Sequence, residues 1–183
     1  MDILPRPNSK NTLAWTLGAG ICLILCVLPF MHSDPLSENY TGALNRDPLM
    51  TTLCLLPVLG FMTMAFLNVA ARHWPTNMIL REVLIMTAMA VILMCIPYRK
   101  TEDFWSGLHV LFGFAAFVNL NRLCYQLFLF YPVSRTIWSG GMFLAFLLAL
   151  YSASITGLSE IVFAAAILLS LTAACHKKNG PSV

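Results

Sequence analysis

Six apolar runs, separated by short polar connections, take up most of the chain. They cover residues 12–31, 49–71, 79–97, 105–130, 136–155 and 158–175. Each has the length that a helix needs to cross a hydrocarbon layer about 30 Å thick at about 1.5 Å of rise per residue. Punctuation falls where spans should break, with Pro48, Pro75, Pro97, Pro132 and Gly157 at or near the run boundaries. The fourth run is too long for one upright span. It is expected to reach the far interface near Asn119–Arg122 and to continue as "LCYQLFLFY" along or just beyond the headgroups, steep tilt being the alternative. The first run is longer than a signal-peptide core, and "LPFMHSDP" has no small-x-small cleavage site, so it reads as a retained anchor.

Composition agrees with lipid as the solvent. Of the 183 residues, 58% are hydrophobic and 10% are charged, against about 25% charged in an ordinary soluble domain. The mean hydropathy is +0.76. The expected fold is therefore all-α: a polytopic integral membrane six-helix bundle forming a single transmembrane domain over residues 1–183. The net charge of +3 is scattered, with no aromatic interleaving of the kind nucleic-acid binders show, which excludes that class. All six cysteines lie in or at the edges of apolar runs with no CxxC pair, so they read as small reduced hydrophobes.

Lys and Arg then set the orientation. With the N-terminus in the cytoplasm, six spans return the C-terminus there as well. The cytoplasmic segments then hold eight basic residues (Arg6, Lys10, Arg72, Arg81, Arg122, Arg135, Lys177 and Lys178), against three outside (Arg46, Arg99 and Lys100). The three outer connections become "HSDPLSENYTGALNRDPLM" (32–50), "YRKTEDF" (98–104) and "SITGLSE" (154–160). They meet at one end of a small bundle and so lie close together.

Polar groups at hydrocarbon depth are costly, and each has a partner or a task. His109, in "FWSGLHVLFGF", sits about one and a half turns into the fourth span from its outer end, and Glu160 opens the sixth. For His109 the functional expectation is a ligand-orienting or acid/base group beneath Glu160, Asp34 or Glu38. The structural alternative is a hydrogen bond to a neighbouring helix or loop carbonyl. Glu82, beside Arg81, is expected at the inner interface, and snorkelling accounts for Arg122. No HxxxH or HExxH spacing supports a metal, and no GxSxG element supports Ser37, Ser106 or Ser159 as a nucleophile. No catalytic set, metal or cofactor is assigned. "NYT" at Asn39–Thr41 matches the N-glycosylation acceptor. Small residues at Ala14 and Gly18, Gly140 and Gly141, and Ala164 to Ala166 predict close helix contacts. There is no internal repeat.

Three local features carry a resemblance: "LSENYTG" (36–42) in the first outer loop, the Pro-containing exit "CIPYRKTEDF", and a His before a Gly/Ala/Phe-rich run, "HVLFGFAAF". In these, and in its overall spacing, the chain resembles the six-span Frag1/DRAM-like proteins and the related bacterial DUF998 membrane proteins. That resemblance implies roles in lipid-anchor remodelling or in autophagy-related membrane processes. A shorter stretch, "RDPLMTTL" (46–53), is similar to the start of a span in colicin A-type immunity proteins.

The resulting expectation is a non-catalytic membrane protein that binds a lipid headgroup or a membrane-protein partner through its outer face. The binding residues would be His109, Asp34, Glu38, Arg99, Lys100 and Glu160, with Arg99 and Lys100 meeting a phosphate. The alternatives are a lipid-remodelling hydrolase that uses His109 with an outer carboxylate, and an immunity or inhibitor protein acting by helix contacts within the bilayer. The expected location is the bacterial inner membrane, a eukaryotic endomembrane being the alternative.

Overall fold

A computed structural model describes residues 12–96 and 104–176. Within them the chain is all-helical: α1 (Thr12–Val27) with a 3-10 turn (Leu28–Phe30), α2 (Tyr40–Arg46), α3 (Pro48–Ala70), α4 (Thr76–Cys95), α5 (Phe104–Phe128), α6 (Pro132–Tyr151) and α7 (Gly157–His176). All but the short α2 are long and apolar enough to cross a membrane, α1 being counted together with its 3-10 turn. Apolar side chains also cover the outside: Leu17, Ile24, Leu53, Leu84, Phe114 and Phe143 are each more than half exposed. Helices that are hydrophobic all round belong in lipid.

Two boundaries differ from the sequence pattern. The fifth span begins at Pro132, four residues before the predicted start, because a proline fits the first helical position and has no N–H to leave unpaired there. The same helix ends at Tyr151, and Ala153 follows in the left-handed region at φ 51°, turning the chain toward α7. The fourth span passes Asn119–Arg122 as an unbroken helix. It continues as one helix to Phe128, because Leu123, Cys124, Leu127 and Phe128 are buried in the main core.

That core joins Ala65, Phe66, Val69 and Ala70 of α3 and Ile79 of α4 to the last turns of α5 and to Ile167, Leu171 and Ala174 of α7. Helix α7 lies among α1, α3 and α6, while α4 and α5 pack together as a hairpin. The predicted small-residue contacts are present at all three places. A Cβ at Gly141 would overlap Ala166, and one at Gly18 would overlap the Phe61 ring. Gly140 faces open space.

The two ends of the bundle are distinct. His176 Nε2 lies 3.2 Å from Thr12 O and 3.3 Å from Thr16 Oγ1, so both ends of the described chain come together. The last residues of α1, α4 and α6 lie at the opposite end, here called the loop end.

Candidate functional site

The loop end is built around the first turn of α2. Asn39 caps that helix, its side chain accepting from Gly42 N at 2.9 Å, as short polar side chains do at helix starts. Beside it, Tyr40 N–H donates to the Glu160 carboxylate at 2.6 Å. The Tyr40 hydroxyl donates to Cys26 O at 2.7 Å, and its ring packs on Phe30 at 5.0 Å between centroids. Burial, foremost, together with the neighbouring Cys26, raises the Tyr40 phenol above its ordinary value, so it stays protonated and donates.

The loop is also sewn to α7 through the backbone. Gly157 N donates to Glu38 O at 2.6 Å and Leu158 N to Pro35 O at 2.9 Å. These two N–H groups belong to the first turn of α7, where no intrahelical acceptor exists for them. Glycine is required at 157, because a Cβ there would run into the Phe30 ring and lie 2.7 Å from Glu38 O. Thr156 and Ser159 close the same turn reciprocally: Thr156 N donates to Ser159 Oγ at 3.0 Å, and Ser159 N to Thr156 Oγ1 at 3.4 Å.

His109 comes to the same place from α5. Its Nδ1 lies 2.9 Å from Ile96 O and its Nε2 3.5 Å from Thr41 Oγ1. A carbonyl only accepts, so Nδ1 carries a hydrogen and donates to Ile96 O. Adjacent residues of α2, Tyr40 and Thr41, are thus engaged by Glu160 and His109 respectively.

The six predicted site residues fare differently. His109, Asp34, Glu38 and Glu160 are all at the loop end. Arg99 and Lys100 lie outside the described residues. Glu38 is ion-paired with Arg46, whose Nη2 also donates to Pro29 O at 2.6 Å. Asp34 turns the loop by accepting from Leu36 N at 2.9 Å. Tyr40, Thr41, Arg46 and Gly157 complete the arrangement and were not foreseen. The available signal was local: Asn39 precedes "YTG" as a helix cap, and "NR" follows the loop's one glutamate, Glu38, at about two helical turns. Among the described residues no group of three or more His, Cys, Asp and Glu side chains is placed to hold a metal.

At the opposite end, Glu82 is buried within the protein. Its Oε1 accepts from Arg81 at 2.9 Å and its Oε2 from Arg122 at 2.7 Å. Arg72 donates to Ala174 O at 3.2 Å and to Cys175 O at 3.3 Å, covering the last carbonyls of α7. His73 stacks on Phe130 at 4.1 Å and meets the Tyr131 hydroxyl at 3.0 Å. An apolar groove of about 410 Å³ lies elsewhere, between α1 and α3, lined by Gly18, Cys22, Leu25, Pro57, Gly60 and Phe61 among others.

Six apolar spans with a folded polar cap define an all-helical, polytopic integral membrane protein. No family model matches the chain, and neither a curated protein nor a solved structure matches it.

Proposed function

We propose that this is a non-catalytic membrane protein whose loop end recognises a lipid headgroup or a protein partner, with that end outside and both termini in the cytoplasm. One observation carries the reading: the cap's internal polar groups hold it in shape, while its tip stays open. Glu160 and His109 engage α2, and Glu38 pairs with Arg46. Met31, His32, Asp34, Leu36 and Ser37 are exposed on backbone fixed to α7 at Pro35 and Glu38. A rigid mixed surface binds without the ordering cost that a loose loop incurs. The excess of Lys and Arg on the opposite side supports the orientation, and the bacterial inner membrane is the proposed location. A place beside the Frag1/DRAM-like and DUF998 proteins belongs to the same proposal, supported by a histidine near the start of α5 beneath the first loop.

The test is alanine at His109, Asp34, Glu38, Arg99, Lys100 and Glu160, singly and together, in the full chain. Lipids and proteins retained from native membranes are compared with those of the wild type. Selective loss of one lipid class or one partner is expected, and an unchanged profile in the combined variant ends the reading.

A second reading, a lipid-remodelling hydrolase, is favoured by the approach of Nε2 of an oriented His109 to the Thr41 hydroxyl. It requires His109→Ala to abolish lipid turnover in a folded protein. Equal turnover in wild type and variant removes it.

A further inference from the structure

The Glu82 cluster has a charge arrangement that an ion pair alone does not need. A single guanidinium would neutralise a buried carboxylate, yet Glu82 holds two, one on each oxygen. The carboxylate is 3% exposed, Arg81 is 66% exposed and Arg122 is 42% exposed. The acid is thus sealed into the protein, and two like charges are drawn together at its surface. One positive charge is left over, and a further anion placed between the arginines would relieve their mutual repulsion.

Arg122 is also held in place. Its Nε and Nη2 both donate to Asn119 Oδ1, at 3.1 and 2.9 Å. Asn119 is anchored in turn by its own donation to the Met86 sulfur at 3.2 Å. On the neighbouring helix, Arg135 lies over the exposed Tyr125 ring at 5.8 Å. Among the described residues, Glu82 is the one acid at this end, where four of the five arginines lie (Arg72, Arg81, Arg122 and Arg135).

Depth identifies the source of the anion. Arg122 is about 27 Å along α5 from Phe104 at the helical rise of about 1.5 Å per residue, close to the hydrocarbon thickness of about 30 Å. Arg81 is only five residues into α4. Both guanidiniums therefore stand at the level of lipid phosphates, beside exposed apolar residues such as Leu80 and Leu84 that face acyl chains.

We propose that Arg81 and Arg122, gathered by Glu82 and steadied by Asn119, bind the phosphate of an anionic phospholipid headgroup. The site is separate from the loop end and does not rest on the function proposed for it. Arg122 Nη1, which also reaches Gln126 Oε1 at 3.5 Å, and the exposed Arg81 guanidinium supply charged donors to phosphate oxygens, and basic pockets between membrane helices select anionic headgroups.

The full-length protein, reconstituted with phosphatidylcholine alone or with an equal amount of phosphatidylglycerol, provides the test. Lipid retained after detergent extraction is quantified by mass spectrometry. Wild type should keep phosphatidylglycerol over phosphatidylcholine, less so at high salt. Arg81→Gln, at an exposed position that leaves the Glu82–Arg122 pair intact, should lower that preference about fivefold. Arg122→Lys, which keeps the charge but loses the fork, should also lower it, with phosphatidylcholine retention unchanged in both variants. An unaltered preference in both folded variants, or none in the wild type, overturns the site. Stabilisation of the wild type by inorganic phosphate as strong as that by phosphatidylglycerol overturns the assignment to lipid.

Discussion

The two ends of this bundle solve the same problem with opposite chemistry. At the loop end, a carboxylate and the carbonyls of a loop answer unpaired backbone N–H groups: Glu160 takes Tyr40 N, and Glu38 O and Pro35 O take the first N–H groups of α7. At the other end, arginine answers unpaired carbonyls, with Arg72 donating to Ala174 O and Cys175 O. Helix α7 therefore has an acid in its first turn and a cation on its last, the arrangement that its dipole favours. The difference lies in what else each end holds together. The loop-end contacts fix one short cap to the ends of α1, α5 and α7, whereas Glu82 and Arg122 join the long helices α4 and α5. Damage at the first should stay local, and damage at the second should loosen the hairpin.

The largest effect should come from Arg122→Ala. It leaves a buried carboxylate with one exposed partner, and stranding a buried charge costs about 3 kcal/mol. The unfolding midpoint in detergent should fall markedly, and hydrogen exchange should rise along α4 and α5 while α2 stays protected. Glu82→Gln in the same background removes the stranded charge and should recover part of the loss. If Arg122→Ala is neutral, the two ends do not differ in this way.

Glu160→Ala comes next, at about 2 kcal/mol, because it leaves the Tyr40 N–H without its charged acceptor. Exchange should quicken at residues 31–46 and leave the α4–α5 pair unaffected. Gly157→Ala attacks the same clamp sterically and should cost about 1–2 kcal/mol, since the obstacle is partly a fixed carbonyl, Glu38 O, rather than a mobile side chain alone. If either substitution raises exchange evenly over all helices, the cap is not a local unit.

The spans were legible because lipid demands an unbroken apolar length, a pattern that residues far away do not alter. Both outcomes weighed for His109 rested on its depth, and its bond to Ile96 O realises the structural one. The convergence of Asp34, Glu38, Glu160 and His109 at one end followed from counting spans. Their partners did not follow. Glu160 is bound by a backbone N–H 120 positions away, and any residue type supplies an N–H, so no letter in the sequence marks it. The partner of Glu82 was hidden for a related reason. Nothing in "REV" and "NRLC" says that the two stretches face each other across 40 residues. That "LCYQLF" packs its apolar face on protein was not legible either, because hydropathy does not distinguish protein from lipid.

The smallest effect should come from Tyr40→Phe, and pH makes it specific. The substitution keeps the ring on Phe30 and removes the bond to Cys26 O, so at neutral pH it should cost about 1 kcal/mol. In the wild type, burial holds the phenol above its ordinary value, whereas the unfolded chain releases that proton near pH 10. Above that pH the unfolded state binds fewer protons than the folded one, so this contribution to stability is complete below about pH 10 and declines as pH rises. The phenylalanine variant lacks the group and therefore lacks that part of the decline. Unfolding midpoints of the two proteins should differ most at neutral pH and draw together at about pH 11. A constant gap would place the Tyr40 hydroxyl in contact with water. The cap would then be a looser layer than the backbone bonds to α7 imply.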